Sequence, residues 1–154
     1  MGGGDYPEEV VKMITELVTN TKYYFDILTT CDQLIKKINK SNNVQIHINP
    51  RNIADICARN HVAFVAGGVT TYELDYLNIP MIVVPYTDNQ QQNAKTWQEF
   101  NHAIKYSSPL EFFKDLQSRH FQNILSDLYD FSKKRIKLID GKGVYRIVKT
   151  IEKL

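Results

Sequence analysis

Phe64-Val-Ala-Gly-Gly-Val-Thr-Thr-Tyr-Glu73 joins an apolar run, a glycine pair and the opening of a helical pattern. Val83-Val-Pro-Tyr-Thr-Asp-Asn-Gln90 repeats the arrangement with a different loop. The runs that feed the two loops, Val62-Ala-Phe-Val-Ala66 and Met81-Ile-Val-Val84, are continuously apolar. That pattern belongs to strands covered on both faces, as in a parallel sheet. In an open sheet of this kind the loops after the strands gather at the carboxyl ends, where ligands bind.

Outward from this stretch the chain alternates strand and helix. Tyr6-Pro-Glu-Glu-Val-Val opens a helix, with Asp5 placed to cap it, Pro7 in the first turn and Glu8 and Glu9 at its positive end. Thr21 to Thr29 reads as a strand and Asp32 to Lys40 as a short amphipathic helix. Val44, Ile46 and Ile48 alternate with polar residues as in a half-buried strand. Ile53, Ile56 and Cys57 form the stripe of the next helix. Thr70–Leu77 and Asn89–Phe100 read as helices, and His102–Tyr106 as a last strand. Beyond Pro109 the chain is helical. One apolar stripe is Leu110, Phe113 and Leu116; another is Phe121, Ile124, Leu125, Leu128 and Phe131. Asp140-Gly-Lys-Gly143 breaks the run, and Val144–Leu154 forms a terminal helix. The alternation predicts an α/β, Rossmann-like parallel sheet with helices on both faces.

The totals fit one domain over residues 1–154, large enough for its own core. With 19 basic and 17 acidic residues the net charge is +2, which argues against a dedicated nucleic-acid binder. No apolar run reaches the length of a membrane span. Cys31 and Cys57 read as reduced thiols in a cytoplasmic protein, with a single disulfide as the alternative. His47, His61, His102 and His120 form no metal spacing, so each reads as a surface or internally satisfied ring. Tyr23-Tyr24-Phe25 and Phe112-Phe113 read as core.

Three loops are candidates for chemistry. Gly67 and Gly68 allow a ligand close to the backbone, and exposed N–H groups there would suit a phosphate. Thr70 and Thr71 add hydroxyls, and Glu73 can accept hydrogen bonds from a pair of sugar hydroxyls. The plain alternative is a tight turn with a helix cap, and by this segment alone the two stand even. Asp88, Asn89 and Gln90 open the next helix and favour a hydroxyl-rich ligand; alone they read as a solvated cap. Gly2-Gly-Gly-Asp5 is a third glycine loop, its alternative a cloning scar.

Taken together, Ala66-Gly-Gly-Val-Thr-Thr-Tyr-Glu-Leu74, Leu77-Asn-Ile-Pro-Met-Ile-Val-Val-Pro85, Asp88-Asn-Gln90 and Asp140-Gly-Lys-Gly143 resemble the carboxyl-terminal half of a glycosyltransferase-B fold. The resemblance covers nearly the whole chain. It is nearest to the UDP-sugar hydrolase of pseudaminic acid biosynthesis and its spore-coat polysaccharide relatives. It extends more distantly to MurG-like N-acetylglucosaminyltransferases.

The resemblance implies a UDP-sugar as partner, no cofactor and no metal. It places the diphosphate or sugar at Gly67, Gly68, Thr70 and Thr71, and the ribose at Glu73. The uracil edge falls at the backbone of Ile48 and Asn49. Asn89 matches an asparagine implicated in the hydrolase site, beside Gln90 and Asp88. Gly3 and Gly4 belong to the family's first loop in this half, which follows a strand. The general base is expected in an amino-terminal half absent from this chain. Val69 departs from the pattern, since a serine or another small residue usually stands there. Without a strand before Gly2, a gap is expected between Thr21–Thr29 and Val62–Ala66. The expected whole is a UDP-sugar hydrolase. A glycosyltransferase and a non-catalytic docking subunit are the alternatives.

Overall fold

The computed structural model describes residues 6–118, 121–133 and 138–153. Gly3 and Gly4, with the rest of residues 1–5, lie outside the described residues, as does the side chain of Phe131.

The element order is α1 (Glu8–Thr19), β1 (Phe25–Leu28), α2 (Asp32–Ile38), β2 (Val44–His47), α3 (Ile53–Ala58), β3 (Ala63–Val65) and α4 (Thr70–Tyr76), then β4 (Met81–Val83), α5 (Asp88–Glu99), β5 (Ala103–Lys105), α6 (Pro109–Ser118), α7 (Phe121–Ser132) and α8 (Gly143–Ile151). Every strand pairing is parallel. β1 lies beside β2 in one sheet, and β3, β4 and β5 follow in that order in a second. The sheets part between β1 and β3, where the sequence called for a gap. Pro7 stands at the amino-terminal cap of α1 and its carbonyl accepts from Val10 and Val11.

The apolar runs fill both faces of the sheet. On β4, Ile82 faces a core built from α1, α2, α6 and α7, which Val84 joins just beyond the strand. Met81 and Val83 face the other way, with Leu74 of α4 and Ala94 and Trp97 of α5. This is the two-residue period of a strand with both faces covered. Cys57 of α3 joins the second core, whereas Leu34 and Ile38 of α2 belong to the first. The connecting helices therefore change face between α2 and α3. In a doubly wound sheet that change marks the switch point, where the crevice for a ligand opens.

Several sequence expectations are corrected. The first strand is shorter than Thr21–Thr29, and Tyr23 and Tyr24 are exposed rather than core. On α6 the buried aromatic is Phe112, packed edge-on to Phe64 and Tyr106. Leu110 is exposed and Phe113 lies under the Lys12 ammonium. The helix begins with Pro109, and Pro109 and Phe112 turn to the core, with Leu116 of the expected stripe packed against it. Ile53 is exposed, and Ile56 carries the α3 contact. Both cysteines are free thiols, so no disulfide joins them. No helix among the described residues is long and apolar enough to cross a membrane.

β1 is tied to α3 by a charged cluster. The Asp26 carboxylate, only 5% exposed, accepts from Arg59 Nη2 and His47 Nε2, each at 2.7 Å, and from Asn60 Nδ2 at 3.0 Å. Burial pushes this carboxyl up, but the bonds from Arg59, His47 and Asn60 outweigh it and hold its pKa at about 2, below the ordinary 3.8. A depressed carboxylate stabilises the fold fully above its unfolded pKa and loses that contribution as pH falls through its folded one. Asp26 should thus contribute about 2 kcal/mol at neutral pH, lost between roughly pH 4 and pH 2. Urea unfolding of wild type and Asp26→Asn tests this. The gap between them should close on acidification over that window; a gap independent of pH would disprove the assignment.

Candidate functional site

The site gathers at the carboxyl ends of β2, β3 and β4. β3 ends at Val65, and Gly67 turns the chain at φ +92°, a region that L side chains rarely adopt. There is no room for a side chain either. A Cβ at Gly67 would lie 3.0 Å from the Gln90 carbonyl oxygen and 3.3 Å from Val83 Cγ1. The β3–α4 loop is therefore pressed against the first turn of α5. Gly68 and Val69 face solvent, and a Cβ on Gly68 would meet nothing.

Three polar groups hold the loop in place. The Thr71 hydroxyl donates to the Gly68 carbonyl at 2.7 Å and accepts from Trp97 Nε1 at 2.8 Å. Asn93 Nδ2 reaches both the Gly67 carbonyl and Thr71 Oγ1. Thr71 is completely buried, so its hydroxyl orders the loop from inside. Asn93 and Trp97, one turn apart on α5, were not singled out in the sequence. The available signal was an Asn and a Trp at i and i+4 on the helix after the second polar loop.

α5 begins without a side-chain cap on its own N–H groups. The Thr87 hydroxyl donates to Asn89 Oδ1 at 2.6 Å, and the Gln90 side-chain oxygen accepts from the Tyr86 amide at 3.1 Å. Asp88 and Asn89 are exposed. Uncapped N–H groups at a helix start favour an anion. Gly67 packs on Gln90, and the exposed Gly68, Asp88 and Asn89 flank that contact as a polar ledge.

Asn49, Thr70 and Glu73 converge elsewhere, on a cavity of about 550 Å³ that opens between β1 and β3. Asn49 ends β2 in a left-handed conformation, φ +48°, and Ile48 before it is exposed. Glu73, in the first turn of α4, is exposed and stands close enough to help push the Cys57 thiol pKa up, after burial, the larger cause. The expected residues therefore fall in two neighbouring groups, bridged by the loop from Gly67 to Thr70.

Behind α4 lies a buried polar knot. His102 Nδ1 donates to Asp75 Oδ1, and the Ile139 amide donates to Asp75 Oδ2 at 3.0 Å. His102 is thus an internally satisfied ring at Nδ1; its Nε2 is buried with no partner among the described residues. Gly141, at φ +73°, lies against the Tyr76 ring and completes the docking of this segment on α4.

Comparison with known proteins agrees with this architecture. MurG of Acinetobacter baumannii superposes on the whole chain with a TM-score of 0.68 at 14% identity, and the chain covers 48% of that structure. The glycotransferase of kitacinnamycin matches 87% of the chain at a TM-score of 0.53 and 13% identity, covering 37% of that structure. The fold is that of one half of a glycosyltransferase-B protein. In sequence, an uncharacterized protein of Methanocaldococcus jannaschii is 23% identical over 97% of this chain, which spans 30% of that protein's length. No protein-family profile matches the chain.

Proposed function

We propose that the chain is the nucleotide-binding half of a two-part, cytoplasmic UDP-sugar enzyme. The observation that carries this reading is the convergence of Asn49, Thr70 and Glu73 at the switch point, beside the uncapped start of α5. In this arrangement the Gly67–Gly68 backbone and the first turn of α5 hold the diphosphate. Thr70 supplies a hydroxyl to it, and Thr71 keeps the loop rigid. The Glu73 carboxylate accepts from the ribose hydroxyls, and the backbone of Ile48 and Asn49 meets the uracil edge. Asp88, Asn89 and Gln90 face the sugar end.

The whole enzyme, on this reading, hydrolyses the UDP-sugar: water attacks the sugar, and UDP leaves. This half positions the substrate and stabilises the charge that grows on UDP. The general base comes from the other half, so the isolated chain binds UDP weakly and turns nothing over. The fold neighbours support a glycosyltransferase equally well, since the donor site is common to both and the difference lies in what the other half presents. The partner half has a natural seat on α8, whose Val144, Tyr145, Ile147, Val148 and Ile151 are all exposed. That face also supports the third reading, a subunit that works by docking.

Calorimetric titration tests the site. UDP should bind the chain, uridine should bind much less, and Glu73→Gln should weaken UDP about tenfold, the value of one hydrogen-bonded charge. Equal affinity of wild type and Glu73→Gln would remove Glu73 from the site. Equal affinity for uridine and UDP would remove the diphosphate ledge.

A further inference from the structure

The space between β1 and β3 has a backbone as well as a shape. β1 bonds to β2 through alternate residues: the Phe25 amide donates to the Asn43 carbonyl at 2.8 Å, and the Thr29 amide to the His47 carbonyl at 3.1 Å. In a parallel ladder the intervening residues turn their N–H and C=O groups the other way. Asp26 and Leu28 therefore present their peptide groups to the gap. On β3, the Ala63 amide donates to the Pro80 carbonyl at 3.0 Å and the Val65 carbonyl accepts from the Val84 amide at 2.8 Å. Phe64 accordingly presents its peptide groups away from β4, also to the gap. None of these outward groups has a hydrogen-bond partner among the described residues.

Both edges line the same cavity of about 550 Å³. Met13 and Leu17 of α1 wall it on one side, and Ile56 and Leu74 of α3 and α4 on the other. The carboxylate in its wall, Asp26, already has its oxygens engaged by Arg59, His47 and Asn60. An occupant must therefore be apolar on two opposite faces and uncharged, yet offer hydrogen bonds along two opposite edges. A small apolar molecule would leave the peptide groups of both strands unpaired, which is costly in a buried place. A polypeptide strand meets all of these demands at once.

We propose that this slot receives one extended, apolar polypeptide strand of about four residues from outside the described chain, matching β1 in length. Its peptide groups pair with Asp26 and Leu28 on one side and Phe64 on the other, joining the two sheets into one. The occupant carries a continuous apolar run, as β3 and β4 do, because both its faces would be covered. The strand takes the length of the cavity between β1 and β3, whereas Asn49, Thr70 and Glu73 line it beyond the carboxyl ends of β2 and β3, so the strand leaves the nucleotide its end of the cavity, and the readout needs no nucleotide.

The test is amide hydrogen exchange on the 154-residue chain, with and without a synthetic peptide of five alternating valines and isoleucines flanked by two lysines at each end. Bound peptide should slow exchange at Asp26, Leu28 and Phe64 at least tenfold and raise the urea midpoint. Phe25 and Ala63, already bonded to β2 and to the segment before β4, should change far less. A peptide with a central proline, which lacks one N–H, and one with a central aspartate should both fail to protect. The proposal is overturned if the three amides are already protected in the free monomer, or if none of the peptides slows them. It is also overturned if the proline peptide works as well, if protection instead tracks protein concentration and a doubled mass, or if UDP alone gives it.

Discussion

Trp97→Ala should cost the fold about 4 kcal/mol, a large share of the stability of a domain of this size. The indole is 3% exposed and packs edge-on to Tyr72 at 5.2 Å and tilted on His102 at 5.5 Å. Removing it opens a cavity beneath α4 and strips a donor from Thr71 Oγ1, so transfer and cavity terms add. Trp97→Phe separates the two. It keeps most of the apolar volume and loses the N–H, and should cost about 1 kcal/mol. Because Trp97 supports the Gly67–Thr71 turn, the alanine variant should also weaken UDP more than it would by unfolding alone. Urea unfolding followed by calorimetry under folding conditions measures both. An alanine variant with an unchanged midpoint would mean that the indole is not a support of this loop.

Asp75→Ala should cost about 3 kcal/mol, the usual penalty when one partner of a buried charged hydrogen bond is removed and the other is stranded. The loss has two parts. His102, buried between α5 and β5, keeps a ring proton with nowhere to go, and the Ile139 amide loses its acceptor. Asp75→Asn restores an acceptor for Ile139 and should recover roughly half of the loss. Hydrogen exchange gives the local signature: the Ile139 amide should lose protection in Asp75→Ala and keep much of it in Asp75→Asn. If Asp75→Ala were as stable as wild type, the contact of Ile139 with α4 would not be a support of the fold.

The parts of the fold legible in the sequence are those set by local chemistry. The runs at Val62–Ala66 and Met81–Val84 announce buried parallel strands because nothing polar interrupts them. The glycine pair and the polar opening of α5 likewise announce loops that follow the carboxyl ends of β3 and β4. What was not legible depends on contacts far apart in the chain. Thr71 reads as a ligand hydroxyl until Trp97, 26 residues on, is seen to take it. His102 reads as isolated because its partner, Asp75, is 27 residues away in the chain, on α4. Tyr23 and Tyr24 have strand-forming side chains, yet the strand begins only at Phe25, where pairing with β2 starts. Phe112 and Phe113 differ by one position on a helix whose start fixes which of them turns inward.

The central claim is that a nucleoside diphosphate binds where β2, β3 and β4 end. Titration of the chain with UDP, followed residue by residue through backbone amide shifts, tests it most directly. The expected result is a saturable set of shifts, complete by millimolar UDP, at Asn49, Gly67, Gly68, Thr70, Glu73 and the Asp88–Gln90 turn. Amides of α6 and α7 should stay unmoved. No shifts at millimolar UDP, or shifts confined to residues away from these loops, would contradict it.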